Sequence, residues 1–164
     1  MDVKNKRVVV TGAASGIGKA LCEAFYEADA QSIVAVDMNL DGAQETADSV
    51  NGIAVQANVG NEKDIINVIQ KADEHAGGTD IFCSNAGIGG VPGFFEVEAS
   101  DWQNIWDVNV QSHIFAAKHV LPQMIERGEG YLVNTSSAAG LLTQLGAAGY
   151  SVTKAAAVSF AEWV

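Results

Sequence analysis

Basic residues are scarce in this 164-residue chain: nine Lys and Arg stand against twenty Asp and Glu, a formal net charge of −11. That excess would repel a nucleic-acid backbone, so no nucleic-acid partner is expected. The acids are scattered over helical and turn segments, where their simplest consequence is solubility. Cysteine is limited to Cys22 and Cys83, both in apolar stretches, where the thiol behaves as a small hydrophobe. No run of 18 apolar residues is present to span a bilayer, and no charged, apolar, small-residue leader opens the chain. The expected location is the cytoplasm, with no membrane partner. His75, His113 and His119 lack metal-ligand spacing, so they read as ordinary helix residues and no metal is expected. With no block of like charges, no Pro/Gly/Ser-rich tract and no internal repeat, linkers and tails are excluded too.

What is present is 48% hydrophobic residues in a length suited to one core, so residues 1–164 read as a single domain. Short β-branched runs at Arg7–Thr11, Ser32–Asp37, Ile53–Ala57, Asp80–Asn85 and Tyr131–Thr135 read as five strands. They are almost continuously apolar, as strands covered on both faces must be. Helical patterns lie between them: Ile17, Leu21, Ala24, Phe25 and Ala28 mark one apolar face, and Ile65, Val68, Ile69 and Ala72 another. A longer helix is predicted from near Ser100, capped by Ser100 with Gln103, ended by Gly128 and kinked at Pro122. A last, Ala-rich helix starts near Gly149 and runs to Val164. The expected fold class is therefore α/β: a doubly wound parallel sheet of the Rossmann type, with its ligand crevice at the carboxyl ends of the strands.

The sequence Thr11-Gly12-Ala13-Ala14-Ser15-Gly16-Ile17-Gly18 follows the first strand directly. Glycines there permit a tight turn, close approach of a pyrophosphate to the backbone and close packing of helix on strand, while the helix N-terminus offers unpaired N–H groups. The spacing differs from the generic G-x-G-x-x-G, and the loop alone is also compatible with an ordinary turn. Asp37 ends the second strand 19 residues after Gly18, near the offset of about 20 at which an acid binds the adenosine ribose. It is also placed to cap the following helix. A 2′-phosphate 4 Å from Asp37 would meet roughly 4 kcal/mol of repulsion at an effective dielectric near 20. Half of that is more than tenfold in affinity, and neither Ser15 nor Met38 offers a compensating positive charge. NAD is the expected cofactor.

Tyr150 and Lys154 are four residues apart at the start of the last helix and so share a face. An exposed pair on a solvated helix has the same spacing, but this one follows the fifth strand and the Ser136-Ser137 turn, at the same sheet edge as the glycine loop. Oxidising an alcohol or reducing a ketone needs a proton acceptor or donor at oxygen while hydride moves at carbon. A free Tyr is only about 0.1% ionised at pH 7, and a neighbouring ammonium raises the phenolate fraction. A hydroxyl such as that of Ser137 stabilises charge on the substrate oxygen. Asn109 is a polar residue on the Trp102/Ile105 side of the long helix; a satisfied core amide and a functional group fit it equally well.

Together the glycine loop, Asn85-Ala86-Gly87 after the fourth strand, Asn109 in DVNV, and Ser137 with Tyr150-Ser151-Val152-Thr153-Lys154 resemble the short-chain dehydrogenase/reductase family, in its single-domain branch, from Arg7 to Val164. The resemblance implies an oxidoreductase that moves a hydride between NAD(H) and a secondary alcohol or ketone. Tyr150 is then the acid/base, Lys154 lowers its pKa and binds the nicotinamide ribose, Ser137 orients the substrate oxygen, and Asn109 holds a water relay. Ser137 is preferred to Ser136 because the family's serine lies thirteen before its tyrosine. Gly12, Ser15, Gly16, Ile17 and Gly18 hold the dinucleotide, with Asp37, Asn58, Val59, Asn85, Ala86 and Gly87 on its adenosine side; Asn58 stands where the family usually has Asp. A dimer or tetramer formed through the long and last helices is also implied. Family members continue with two more strands, a Pro-Gly turn and a mobile substrate-binding segment. The domain is therefore expected to be incomplete at its C-terminus, with uncovered apolar surface after about Tyr131. The competing expectation is a non-catalytic NAD-binding fragment of such an enzyme; a related epimerase or dehydratase fits the loop spacing less well.

Overall fold

The computed structural model describes residues 2–164. Five parallel strands, β1 (Arg7–Thr11), β2 (Ser32–Asp37), β3 (Ile53–Gln56), β4 (Ile81–Ser84) and β5 (Tyr131–Asn134), form one sheet in the order β3-β2-β1-β4-β5. The chain winds outward from β1 to β3, crosses back to β4 beside β1, and continues to β5. The reversal between β1 and β4 is the topological switch point at which such sheets leave a crevice.

The unbroken apolar character of the strands has a direct cause. Val9, Val34, Val36 and Phe82 point to one face, where they pack with Ile65, Val68 and Ile69 of α3 (Glu62–Ala76) and Val120 and Met124 of α5 (Ser112–Arg127). Val8, Val10, Ile33, Ala35, Ile81 and Cys83 point to the other, against α1 (Gly16–Glu27) and α2 (Leu40–Ser49). Both thiols are buried there, and burial pushes each up to about 12. They act as core atoms.

Several sequence expectations shift. On α1 the buried residues are Gly18 and Cys22, with Leu21 and Phe25 half-buried, whereas Ile17, Ala24 and Ala28 are exposed. The first turn of the helix lies too close to the glycine loop for a side chain: a Cβ on Gly18 would stand 2.0 Å from the Gly12 carbonyl oxygen. The long helix is not one α-helix. It starts as α4 (Ala99–Trp106), two residues earlier than Ser100 as a cap would require, and the Asp101 carboxylate accepts from the Glu98 N–H at 3.0 Å. An acid pair thus replaces the predicted Ser100/Gln103 box. A five-residue π turn, Asp107–Gln111, then widens the helix before α5. Pro122 is accommodated within α5, and Gly128 ends that helix with φ 72° as expected. After β5 a short α6 (Ala139–Leu142) precedes α7 (Ala148–Trp163). The edge strand β5 is the least covered, with Tyr131, Ile125 and Trp163 exposed nearby. Among the described residues no helix is long and apolar enough to cross a membrane.

At the amino end of the sheet, Arg7 fastens β1 to β4. Its guanidinium meets both oxygens of Asp80, Nε at 2.7 Å and Nη2 at 2.5 Å, while Nη1 donates to the Gly77 carbonyl. The Asp80 carboxyl, only 9% exposed, is held below the ordinary carboxylate range by hydrogen bonding from Arg7. A depressed folded-state value contributes stability that is complete above the unfolded pKa and is lost as pH falls through the folded one. Asp80→Ala is expected to destabilise toward the lower end of about 3–5 kcal/mol, and to flatten the loss of stability below pH 4 that the unaltered chain shows in urea melts. Equal acid sensitivity in both proteins would contradict this account of the pair.

Candidate functional site

A cleft of about 740 Å³ opens at the carboxyl ends of the strands and is lined by residues from every predicted motif except Asn109 and Ser137. It begins at the glycine loop. Gly12 has φ 71° and Gly16 φ 53°, conformations that disfavour a side chain. A Cβ at Gly12 would also sit 3.0 Å from Ala86 Cα, so the loop needs glycine there for close contact with the β4 end. Ser15 occupies the N-cap position of α1, extended and with its hydroxyl making no capping bond. The α1 N-terminus and the exposed Ile17 form one wall of the cleft.

Asp37 lies at the end of β2 with its carboxylate turned to the loop: one oxygen accepts from Ala14 N–H and the other from Asn39 N–H, both at 3.0 Å. It is not the cap of α2; Asn39 is, accepting from Gly42 N–H. Each Asp37 oxygen retains acceptor capacity beyond its one bond, and the residue lines the cleft. Asn58 and Val59 follow β3. The Asn58 side-chain oxygen accepts from Gly60 N–H at 3.1 Å, and its backbone N–H donates to Asp64.

Asn85 is bonded from both ends of its amide. Nδ2 donates to the Thr11 carbonyl at 3.0 Å and Oδ1 accepts from the Thr135 hydroxyl at 3.1 Å, so it braces β1, β4 and β5 across their ends. Ala86 and Gly87 line the cleft behind it. Gly87 lies close under the site: a Cβ there would be 3.2 Å from both Asn109 Oδ1 and Lys154 Nζ.

Asn109, fully buried in the π turn, is a satisfied amide. Its Oδ1 accepts from Ile88 N–H at 2.8 Å, and Nδ2 donates to the Ile88 carbonyl and to Thr153 Oγ1. The wider π turn carries the amide to the strand ends, where it joins the post-β4 loop to α7.

Tyr150 and Lys154 stand on the first turns of α7 and both line the cleft. The Lys154 ammonium lies 5.8 Å from the centre of the Tyr150 ring and donates to the Thr135 carbonyl at 3.0 Å. With 4% exposure, Lys154 has its pKa lowered by desolvation. The Ser136 hydroxyl donates to the Lys154 carbonyl at 2.8 Å and is thereby committed to the backbone. Ser137 is the freer of the two: its oxygen accepts from Ala139 N–H, which leaves its proton to donate. Thr135 went unremarked in the sequence, because its contribution is a backbone carbonyl, which any residue type supplies.

The histidines differ from one another. His75 lies in the last turn of α3, and His119 Nε2 is 2.8 Å from the Glu62 carboxylate, which Lys118 also meets. His113 is buried beneath the site against Asn134. Among the described residues no three His, Cys, Asp or Glu side chains are grouped to hold a metal.

The chain is similar to known proteins over nearly all its length. The family model described as short chain dehydrogenase matches residues 6–164. A 3-oxoacyl-acyl-carrier-protein reductase of Vibrio cholerae is 32% identical over 98% of this chain and 66% of its own length, and glucose 1-dehydrogenase 2 of Bacillus subtilis is 34% identical over 83% and 55%. The structure of a short-chain dehydrogenase/reductase from Burkholderia phymatum in complex with NAD superposes with a TM-score of 0.95 at 29% identity, over 99% of this chain and 60% of that one. The chain thus spans about two thirds or less of the length of these relatives. With the family model matched over nearly all its length, and with the glycine loop, Asn85 and the Tyr150/Lys154 pair in one cleft, the chain belongs to the short-chain dehydrogenase family of oxidoreductases.

Proposed function

We propose that the chain carries the cofactor cleft and catalytic groups of an NAD-dependent dehydrogenase acting on a secondary alcohol or ketone. One observation carries this reading: Tyr150 and Lys154 open into the same cleft as the glycine loop and Asp37. A dinucleotide fits the chemistry of that cleft. The positive φ of Gly12 and Gly16 and the α1 N-terminus provide backbone N–H groups for a pyrophosphate, and the free lone pairs of Asp37 suit ribose hydroxyls. Asn58, Val59, Ala86 and Gly87 would flank the adenosine side, and Lys154 the nicotinamide ribose. When bound, the cofactor supplies the carbon that gives or takes hydride.

The chain's own residues manage the proton. In the oxidative direction the Tyr150 phenolate oxygen accepts the alcohol proton as the carbonyl forms; in reduction the Tyr150 hydroxyl returns it. Ser137, with its hydroxyl proton unused by the fold, donates to the substrate oxygen and stabilises the charge that develops there. Lys154, fixed on the Thr135 carbonyl, places one ammonium beside the Tyr150 ring. Asn109, its amide already fully bonded, braces Ile88 against Thr153 and so keeps the post-β4 loop and α7 in register. The single domain and an assembly of two or four chains through α5 and α7 belong to the same proposal.

A second reading, a chain that binds NAD without turnover, draws on the segment flanking Tyr150. Leu141, Leu142 and Leu145 are 74%, 80% and 97% exposed, and where nothing holds the reactants in place the lost positioning alone accounts for several kcal/mol of barrier.

Tyr150→Phe is expected to lower kcat by about 10² to 10⁴, as for other acid/base groups, with little change in NADH affinity by fluorescence titration. Unchanged turnover would remove Tyr150 from the reaction. For the cofactor, titration should show NAD(H) bound at least about tenfold more tightly than NADP(H), given the Asp37 charge, and Asp37→Ala should narrow the gap. Equal affinities in the unaltered chain would refute the NAD assignment.

A further inference from the structure

His113 is a buried, titratable side chain to which the chemistry above gives no part. It lies on α5 four residues after Asn109, 1% exposed, and packs under the end of β5. Its Nδ1 is 2.7 Å from the side-chain oxygen of Asn134, the last residue of that strand. An amide oxygen only accepts, so Nδ1 carries the proton and Nε2 bears the lone pair. Nε2 is buried without a hydrogen-bond partner. A second proton there would be an unpaired donor in an apolar setting, with the Lys154 ammonium acting on it as well. Desolvation accordingly lowers the His113 pKa, and the imidazole is neutral.

The residue that His113 holds is joined by one peptide bond to the residue that holds Lys154. Asn134 is fastened through its side chain to His113, and Thr135 presents its carbonyl to Lys154 Nζ at 3.0 Å. Thr135 is bonded on its other sides to Ser84 O through its N–H and to Asn85 Oδ1 through its hydroxyl. Leu132 packs on α5 further back along β5, but among the described residues the His113 bond is the one hydrogen bond that joins Asn134 and Thr135 to α5.

We propose that His113 is a positioning residue for Lys154: as a neutral imidazole donating from Nδ1 to Asn134, it pins the end of β5 so that the Thr135 carbonyl holds the ammonium in the cleft. The importance of that position for turnover rests on the dehydrogenase reading; the placement of Lys154 does not. His113 thereby adds a fixed point without adding a second charge beside Lys154.

The test compares His113→Leu, which keeps bulk and loses the donor, with His113→Asn, whose amide N–H falls near the original Nδ1. Acetic anhydride labelling followed by mass spectrometry reads the accessibility of the Lys154 amine in the folded, NAD-bound protein, with maleimide labelling of the core thiol Cys83 as the control for general loosening. Lys154 should label at least about tenfold faster in His113→Leu, and kcat should fall by about the same factor, the scale expected when a group is displaced by a fraction of an ångström. Cys83 should stay unlabelled, and His113→Asn should restore both. Unchanged Lys154 labelling in His113→Leu, equal loss in His113→Asn, or parallel labelling of Cys83 would overturn the proposal. If labelling changes as expected while kcat does not, the placement stands and the catalytic role of Lys154 fails. Should His113→Leu not fold, nitrogen NMR of the imidazole in the unaltered protein at neutral pH decides: Nδ1 protonated and Nε2 bare is required, and the opposite tautomer or a charged ring overturns it.

Discussion

The ends of β1 and β4 are tied together through Thr11, and the cleft depends on that tie. The Thr11 hydroxyl donates to the Cys83 carbonyl at 3.2 Å and accepts from the N–H groups of Asn85 and Ala86, while the Thr11 carbonyl accepts from Asn85 Nδ2. A parallel sheet whose order reverses between these strands would otherwise have loose loops on either side of the switch point. Drawing the loops together removes room for a side chain at Gly12, where a Cβ would meet Ala86 and Asn85, while the fold of the glycine loop back on itself excludes one at Gly18. The same closeness leaves backbone N–H groups at the α1 N-terminus facing a cleft rather than a side chain, the condition for binding a pyrophosphate.

The chemistry extends from this tie by a series of single bonds. Asn85 passes it to Thr135, and the Thr135 carbonyl takes the ammonium of Lys154. On the other side, Asn109 fastens Ile88 to Thr153, one residue before Lys154. Lys154 is therefore located from both neighbouring strands and from the π turn, an arrangement that suits a buried cation whose desolvation must be offset. Fixed placement of this kind is what charge stabilisation at a reacting oxygen requires, since dipoles and charges that are already oriented need no reorganisation during the reaction.

Much of this was legible in the residues. The strands were readable from their apolar runs, which at the centre of the sheet reflect burial on both faces; β1 and β2 have the expected bounds, whereas β3, β4 and β5 stop one residue sooner, where Asn85 and Thr135 give side-chain bonds to neighbouring strand ends. The Ile65, Val68, Ile69 and Ala72 face of α3 was equally plain, since its stripe meets a single surface. The face of α1 was not, because close packing there uses Gly18 and Cys22, and small residues carry little hydrophobic signal. The π turn at Asp107–Gln111 leaves no periodic mark in five residues, and a cap made by Asp101 and Glu98 resembles surface charge. The candidate site residues were singled out by spacing and by the family resemblance, whereas the Thr135 carbonyl and the His113 ring are a backbone group and a lone histidine without a motif.

The central claim is that one ligand bridges the glycine loop and the Tyr150/Lys154 helix. Hydrogen–deuterium exchange with and without saturating NAD measures both at once. The account predicts protection in residues 12–18, in 85–89 and in 150–154 together, at a single NAD midpoint. Protection confined to the glycine loop, or a separate midpoint for the α7 segment, would contradict it.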